Sequence, residues 1–392
     1  MNNNNERIYF DHAATAPVHP EVMEVMKPYF TEIYGNPSSV HSFGQDAARA
    51  MNSAREKVAA IIGADEEREI IFTSGGTEAD NFAIKGVAMA LDDKGKHIIT
   101  SNIEHHAVLH TCEFLEENFG YEVTYLPVDD NGFVEPEAVR QSIRDDTILI
   151  TIMMANNEVG TIQPISEIGE IARENNIYFH TDAVQAIGQI PVDVNELNVD
   201  LLSMSGHKFN GPKGIGALYL RNGVKIVPQM RGGAQERDKR ASTQNVSGIV
   251  GMGKAAEIAK EELNNKSRKL SRLRDKLIDG ILNNIDEVVL NGPRGEKRLP
   301  GNVNVCFRYV EGESILLNLD SKRVAASSGS ACTSGSLDPS HVLLALGLSS
   351  EVAHGSLRLS LGINNNEEQV DYFLDIIPGI IERLREMSAL YE

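Results

Sequence analysis

Ile70-Ile71-Phe72-Thr73-Ser74-Gly75-Gly76-Thr77-Glu78-Ala79 passes from an apolar run, through a pair of glycines, into a stretch that reads as helix to about Leu91. An apolar run followed by a glycine turn and a helix is the opening unit of an α/β sheet. The same alternation repeats on either side. Further strand-like runs are Ile98-Ile99-Thr100, Val123-Thr124-Tyr125, Ile148-Leu149-Ile150, Tyr178-Phe179-His180, Leu201-Leu202-Ser203-Met204 and Ala217-Leu218-Tyr219. Helix-compatible stretches such as Ser166 to Asn175 lie between most of them. The pattern predicts a large, mostly parallel sheet with helices on both faces. From Gly248 to about Asn284 the chain becomes one long charged helical stretch, followed by Val303-Asn304-Val305, a helix near Ser314 to Leu319 and a last helix near Glu367 to Met387. These read as a smaller α/β domain. At 392 residues the chain exceeds what a single core usually supports, so two domains are expected.

The net charge is −19, from 37 basic and 56 acidic residues. Such a surface repels nucleic-acid backbones and anionic membranes, while leaving room for a locally basic pocket. No apolar run approaches the roughly 20 residues that span a bilayer, and the N-terminus lacks a signal-peptide core. A cytoplasmic protein is expected, without nucleic-acid or membrane partners. The three cysteines, Cys112, Cys306 and Cys332, form neither a disulfide framework nor a zinc pattern.

Four segments carry the candidate chemistry. Gly76 and Thr77 open a helix directly after a strand, where backbone N–H groups and the dipole favour an anion; a plain capped turn would use the same residues. Asp182, in Phe179-His180-Thr181-Asp182-Ala183-Val184-Gln185, follows a strand that reads as buried, so its carboxylate needs a partner. A protonated pyridine nitrogen and a helix N-cap both meet that need. Lys208 lies in the glycine-rich Ser205-Gly206-His207-Lys208-Phe209-Asn210-Gly211, where a desolvated amine forms Schiff bases, and Ser205 and His207 flank it as phosphate donors. Cys332 sits among Ser327-Ser328-Gly329-Ser330-Ala331 and Thr333-Ser334-Gly335-Ser336, small residues suited to a swinging thiolate. Cys112 and Cys306 stand in apolar stretches and read as inert. Gly248-Ile249-Val250-Gly251-Met252-Gly253-Lys254-Ala255 approaches a phosphate loop, but Ala255 replaces the hydroxyl that binds magnesium. His106 and His110 share a helix face without a third ligand nearby and read as surface.

Taken together, these segments resemble the NifS/IscS-like cysteine desulfurases of the class V aminotransferase-like fold, over about Ile8 to Tyr391. The resemblance rests on them and on Phe10-Asp11-His12-Ala13-Ala14-Thr15, Tyr34-Gly35-Asn36-Pro37-Ser38-Ser39, Glu104-His105-His106 and Asn156-Asn157-Glu158-Val159-Gly160. The long Ser328-Gly329-Ser330-Ala331-Cys332 loop is similar to that of the subgroup serving iron–sulfur assembly. The resemblance implies fold type I, with residues 15–258 as the large pyridoxal-phosphate domain and residues 1–14 plus 259–392 as a small domain carrying the cysteine loop. It implies pyridoxal 5'-phosphate on Lys208, which also shuttles protons, and His105 stacked on the ring. Asp182 would pair with the pyridine nitrogen and Gln185 with the phenolic oxygen. Gly76, Thr77, Ser205 and His207 would hold the phosphate, joined by Thr243 from the neighbouring subunit of a homodimer. Asn36, Asn157 and Arg358 would bind the substrate. Arg358 also stands out by itself, as a charge within the apolar run Ser356-Leu357-Arg358-Leu359-Ser360.

The implied reaction converts L-cysteine to L-alanine and leaves the sulfur on Cys332 as a persulfide. The acceptor would be an iron–sulfur scaffold or another sulfur-acceptor protein, and Cys332 is the one position where a cluster in transit is conceivable. Two departures are visible. Ser242 stands where the family has Gly before the cross-subunit Thr, and Glu236-Arg237-Asp238-Lys239-Arg240 is unusually charged. A selenocysteine lyase on the same fold would have no use for Cys332. A non-catalytic sulfur-transfer partner would have no use for Lys208, Asp182 and Cys332 together.

Overall fold

The computed structural model describes residues 7–328 and 338–388. Its strands are β1 (Ile8–Tyr9), β2 (Ile70–Thr73), β3 (His97–Ser101), β4 (Glu122–Leu126), β5 (Thr147–Thr151) and β6 (Tyr178–Asp182). They continue as β7 (Leu201–Ser205), β8 (Gly216–Leu220), β9 (Val288–Leu290), β10 (Asn302–Phe307), β11 (Val324–Ala325) and β12 (Ser356–Ser360). Each of the seven runs read as strand between Ile70 and Leu220 is a strand of one sheet, in the order β2-β8-β7-β6-β5-β3-β4. Only β8 runs against its neighbours, pairing antiparallel with both β2 and β7. The carboxyl ends of β2, β3, β5, β6 and β7 therefore share one edge of the sheet. In such sheets that edge is where ligands bind.

The central strands are buried along their whole length. That is why they read as unbroken apolar runs rather than as alternating ones. The helix predicted from Thr77 to Leu91 spans Gly76–Ala90, and the one from Ser166 to Asn175 spans Ile165–Glu174. The long charged stretch is a single helix, Val246–Asn284. The glycines that resembled a phosphate loop lie inside its first turns and serve packing. A Cβ on Gly253 would fall 2.6 Å from Ala54 Cα, and one on Gly251 2.6 Å from Met26 Sδ. Gly253 lets the helix lie close against helix Ser42–Ile61, and Gly251 against the end of helix Pro20–Met26.

The far half of the long helix belongs to a second hydrophobic cluster. Leu270, Leu273, Leu277 and Ile281 pack with Ile8, Phe10, Val303, Val305, Leu357, Leu359 and Phe373. Here β12, β10 and β9 form an antiparallel sheet, and β1 pairs parallel with β11. The chain's first and last segments thus meet, and β12 carries Arg358 towards the large sheet. Cys112 and Cys306 are fully buried, and burial pushes the Cys306 thiol up to about 11. No helix among the described residues is long and apolar enough to cross a membrane.

Candidate active site

A cavity of about 240 Å³ opens at the carboxyl ends of the large sheet. Ten of the residues read as site candidates line it: Gly76, Thr77, His105, Asn157 and Asp182, with Gln185, Ser205, His207, Lys208 and Arg358. Local sequence explains why they converge. Asp182 and Ser205 are the last residues of β6 and β7, and Lys208 follows one short turn later. Gly76 and Thr77 begin helix Gly76–Ala90, whose first N–H groups have no partners within the helix. A Cβ on Gly76 would lie 2.7 Å from Val184 Cγ2, so glycine is what allows this close approach. His105 caps helix His106–Phe119, its Nδ1 accepting from the Ala107 N–H at 3.1 Å.

That bond fixes the imidazole's proton on Nε2. Burial, then the charges of Lys208, His106 and His110, push His105 down to about 4, so it stays neutral. His207 is likewise pushed to about 4, by burial and then by Lys208 and Lys213, while its Nδ1 lies 3.0 Å from Thr15 Oγ1. Lys208 Nζ donates to the carbonyls of Ala13 at 2.6 Å and Ala14 at 3.0 Å. Gln185 Nε2 also donates to Ala13 O, at 2.9 Å.

Asp182 accepts from the Val184 N–H at 2.9 Å. Burial raises its carboxyl to about 6, against the pull of Lys208. Next to it lies Asp80, which also lines the cavity. Burial and then the Asp182 charge raise Asp80 well above the usual carboxylate range, and its Oδ1 has no hydrogen-bond partner. The imidazole 3.7 Å from that oxygen belongs to His180, which burial holds near 3 and therefore uncharged. Glu104, buried beneath, accepts from Ser101 Oγ at 2.6 Å and the Met153 N–H at 2.9 Å, and burial raises it to about 8. The floor of the cavity is thus richer in carboxyl groups than in cations.

Sequence reading missed Asp80, Glu104 and His180. Two of them left a faint signal: Asp80 lies one helical turn beyond Gly76, and His180 two strand residues before Asp182, so each shares a face with a candidate.

The wall opposite is basic. Arg358 is 2% exposed; its Nη2 meets Asp11 at 3.1 Å and its Nη1 donates to Asn157 O at 3.1 Å. Its Nε is buried without a partner. Two expected residues are not brought to this cavity by the single chain. Asn36 is exposed, and its side chain accepts from the Ser38 N–H at 2.9 Å, closing its own turn. Thr243 is exposed as well. Cys332 lies outside the described residues. Among the described residues nearest that stretch, Ser327 pairs through its backbone with Arg358, and Ser340 Oγ donates to Glu158 Oε2 at 2.5 Å. Among the described residues no cluster of His, Cys, Asp and Glu could hold a metal ion.

The family Aminotransferase class-V matches residues 8–373. A cysteine desulfurase IscS of Methanosarcina thermophila is 61% identical over 386 residues, covering 98% of this chain and 95% of its own. Among solved structures, a NifS-like protein superposes with a TM-score of 0.90 at 42% identity, covering 97% of this chain and 100% of that one. SspA in complex with cysteine superposes with a TM-score of 0.80 at 40% identity, covering 90% and 98%. With its sheet order, its lysine and aspartate at neighbouring strand ends, and these likenesses, the chain belongs to the class-V aminotransferase family, among the NifS/IscS-like cysteine desulfurases.

Proposed function

We propose that the protein is a pyridoxal-phosphate-dependent cysteine desulfurase that converts L-cysteine to L-alanine and collects the sulfur on Cys332. The observation that carries this reading is the pairing, in one cavity, of the Lys208 amine with the buried Asp182 carboxylate. The residues fit the cofactor. A carboxyl-rich floor with an unpartnered Asp80 oxygen suits a protonated ring nitrogen at Asp182, and the helix start at Gly76 and Thr77, with Ser205 and His207, suits a phosphate. When bound, pyridoxal phosphate supplies an electron sink that stabilises negative charge at the substrate Cα.

The chain's own residues do the rest. Arg358 holds the substrate carboxylate, exchanging its Asp11 contact for the ligand, with Asn157 beside it. Lys208 takes the proton from Cα and returns it later. His105, neutral with its proton on Nε2, donates from that nitrogen and assists proton movement. The Cys332 thiolate attacks the substrate sulfur. The S–S bond forms as the Cβ–S bond breaks, the bonding pair stays on carbon, and protonation at Cβ gives alanine. Thr243, exposed in the single chain, reaches the phosphate site of a second copy in a homodimer. The persulfide then passes to an iron–sulfur scaffold or another acceptor protein.

The test mixes the purified protein with L-cysteine and reductant and measures sulfide and alanine together, beside Cys332→Ala. Equal release of both products, lost in the variant while the yellow cofactor absorbance persists, is the expected result. Alanine formed without need of Cys332 would turn the reading towards a lyase.

A further inference from the structure

Behind Lys208, on the side away from the substrate cavity, lies a second space of about 30 Å³. It shares Ala13, Gln185 and Lys208 with the main cavity, and His12, Gln189, Asn302 and Ser360 complete its polar lining. About 10–15 Å³ with two to four polar partners is enough to hold a water molecule. On its far side His12 also lines an open groove of about 440 Å³, beside Arg7, Thr15, Lys213 and Asn365. His12 is the one residue common to the small cavity and the groove.

The placement of His12 is unusual for a buried histidine. It is 8% exposed, yet among the described residues neither ring nitrogen has a hydrogen-bond partner, and neither is sealed from solvent. Buried polar groups are nearly always satisfied, so an imidazole with two unpaired nitrogens points to water on both. The ring stands edge-on to Tyr9, with centroids 5.0 Å apart, and lies against the backbone of Gly362. A Cβ at Gly362 would come within 2.2 to 2.5 Å of three ring atoms, so glycine there is what lets the ring occupy this wall. Burial and then the Lys266 charge hold His12 near 4, so it is neutral and has one nitrogen to accept and one to donate.

We propose that His12 relays protons between the Lys208 amine and bulk solvent, through water held in the small polar cavity behind the lysine. The inference rests on the reading that Lys208 exchanges a proton with substrate Cα. After taking that proton the amine is an ammonium, held from behind by Ala13 O and Ala14 O, in the segment that carries His12. It passes one proton to the cavity water, and the water passes one to the accepting nitrogen of His12. The other ring nitrogen releases its proton into the groove. No electron moves, and the sum is one proton carried from the amine to solvent. The same path run backwards brings a proton in.

Two measurements test this. A crystal structure of the cofactor-free protein should show ordered water within hydrogen-bond reach of Lys208 Nζ and a His12 nitrogen; a dry or collapsed cavity overturns the proposal. The holoenzyme is then run with L-cysteine in deuterium oxide, and the deuterium at alanine Cα is measured for wild type, His12→Phe and His12→Gln. The expected result is a severalfold fall in Cα labelling in the variants, as the abstracted proton returns before it exchanges, with cofactor absorbance and melting temperature near wild type. Added free imidazole should restore the labelling in His12→Gly, whose vacated site can admit it, which a merely structural role for His12 would not produce. Unchanged labelling in whichever variant folds overturns the relay. Failure of the wild type to form alanine at all would instead sink the desulfurase reading.

Discussion

Glu236 and Glu104 are the same residue type, 4% and 1% exposed, and their acidities move in opposite directions. Burial pushes Glu236 up, but Arg55 more than offsets it and leaves the carboxyl below its usual range. Its two oxygens meet Arg55 at 2.7 and 2.9 Å, and one also accepts from the Phe72 N–H at 3.1 Å. Arg55 in turn donates to Ile70 O at 2.6 Å and lies over the Phe72 ring. Glu104 and its neighbour Asp80 have no such cation, Asp182 has only the through-space charge of Lys208, and all three are pushed up. Where the fold supplies the counter-charge, the carboxyl is structural. Where buried carboxyls lack one, beneath a cavity, the counter-charge is left for a ligand to bring.

The sharpest way to break this contrast is to remove Arg55. Breaking a buried pair by deleting one partner leaves an uncompensated charge, so Arg55→Ala should cost about 3–5 kcal/mol in denaturant unfolding. A loss below about 1 kcal/mol would mean that the pair is solvated and the distinction false. Arg358 is as buried as Arg55, but its Nε has no partner and its contact Asp11 is 21% exposed on the side chain. It should behave as a ligand group. Arg358→Gln should lower kcat/KM for L-cysteine by roughly 10- to 100-fold, the range of a charged hydrogen bond of about 1.5–3 kcal/mol. Its melting temperature should change little. Equal damage to stability and activity would place Arg358 with Arg55.

The contrast also has a pH signature. Glu104, raised to about 8, binds its proton more tightly in the folded state than in the unfolded one. Its contribution to stability is complete below the unfolded value near 4.5 and is lost as pH rises through about 8. Glu104→Gln removes that loss, and its amide oxygen can still accept from Ser101 and Met153. The variant should therefore gain on wild type between pH 5 and pH 9, by on the order of 1–2 kcal/mol. Glu236→Gln should show the opposite trend, losing most where wild-type Glu236 is ionised, since a depressed carboxyl stabilises at high pH and fails as pH falls. Parallel pH profiles for the two variants would break the comparison.

The ligand-facing region was the legible one. Strand-end positions such as Asp182, Ser205 and Lys208 are announced by short apolar runs followed by glycines and polar residues. The large sheet was legible for the same reason, because each of its strands is a self-contained apolar run. Glu104 and Asp80 were not legible. Their state depends on what tertiary packing places beside them, and a carboxylate in a helical or polar stretch looks the same whether it ends in solvent or beneath a cavity. The Glu236–Arg240 run stands out in the sequence for its charge, but its partners do not: Glu236 crosses to Arg55, and Arg240 clasps Glu78 at 2.7 and 3.0 Å. The glycines at 248–253 look chemical and are packing residues, because a glycine that admits a phosphate and one that admits a helix leave the same mark.

The smallest expected effect lies just past that clasp. Glu236, Arg237 and Asp238 take left-handed backbone angles, with φ of 46°, 58° and 62°, and two of them are tied down, by Arg55 and by bonds from Arg237 to Arg68 O and Ile70 O. Ser242 has φ of 99°, the most positive of the non-glycine residues described, and its fixed contact is its N–H to Gln235 Oε1 at 3.2 Å. A side chain held in such a region costs about 1–3 kcal/mol, while glycine there costs unfolded-state freedom of about 0.5–1 kcal/mol. Ser242→Gly should therefore raise stability by about 0.5–1 kcal/mol, read as a higher denaturant midpoint with an unchanged slope. A loss of stability would mean that the strain is absorbed by the same contacts that hold Glu236, making the whole turn one structural unit. A gain would place the strain at Ser242 itself, beside Thr243, and apart from the contacts that hold Glu236.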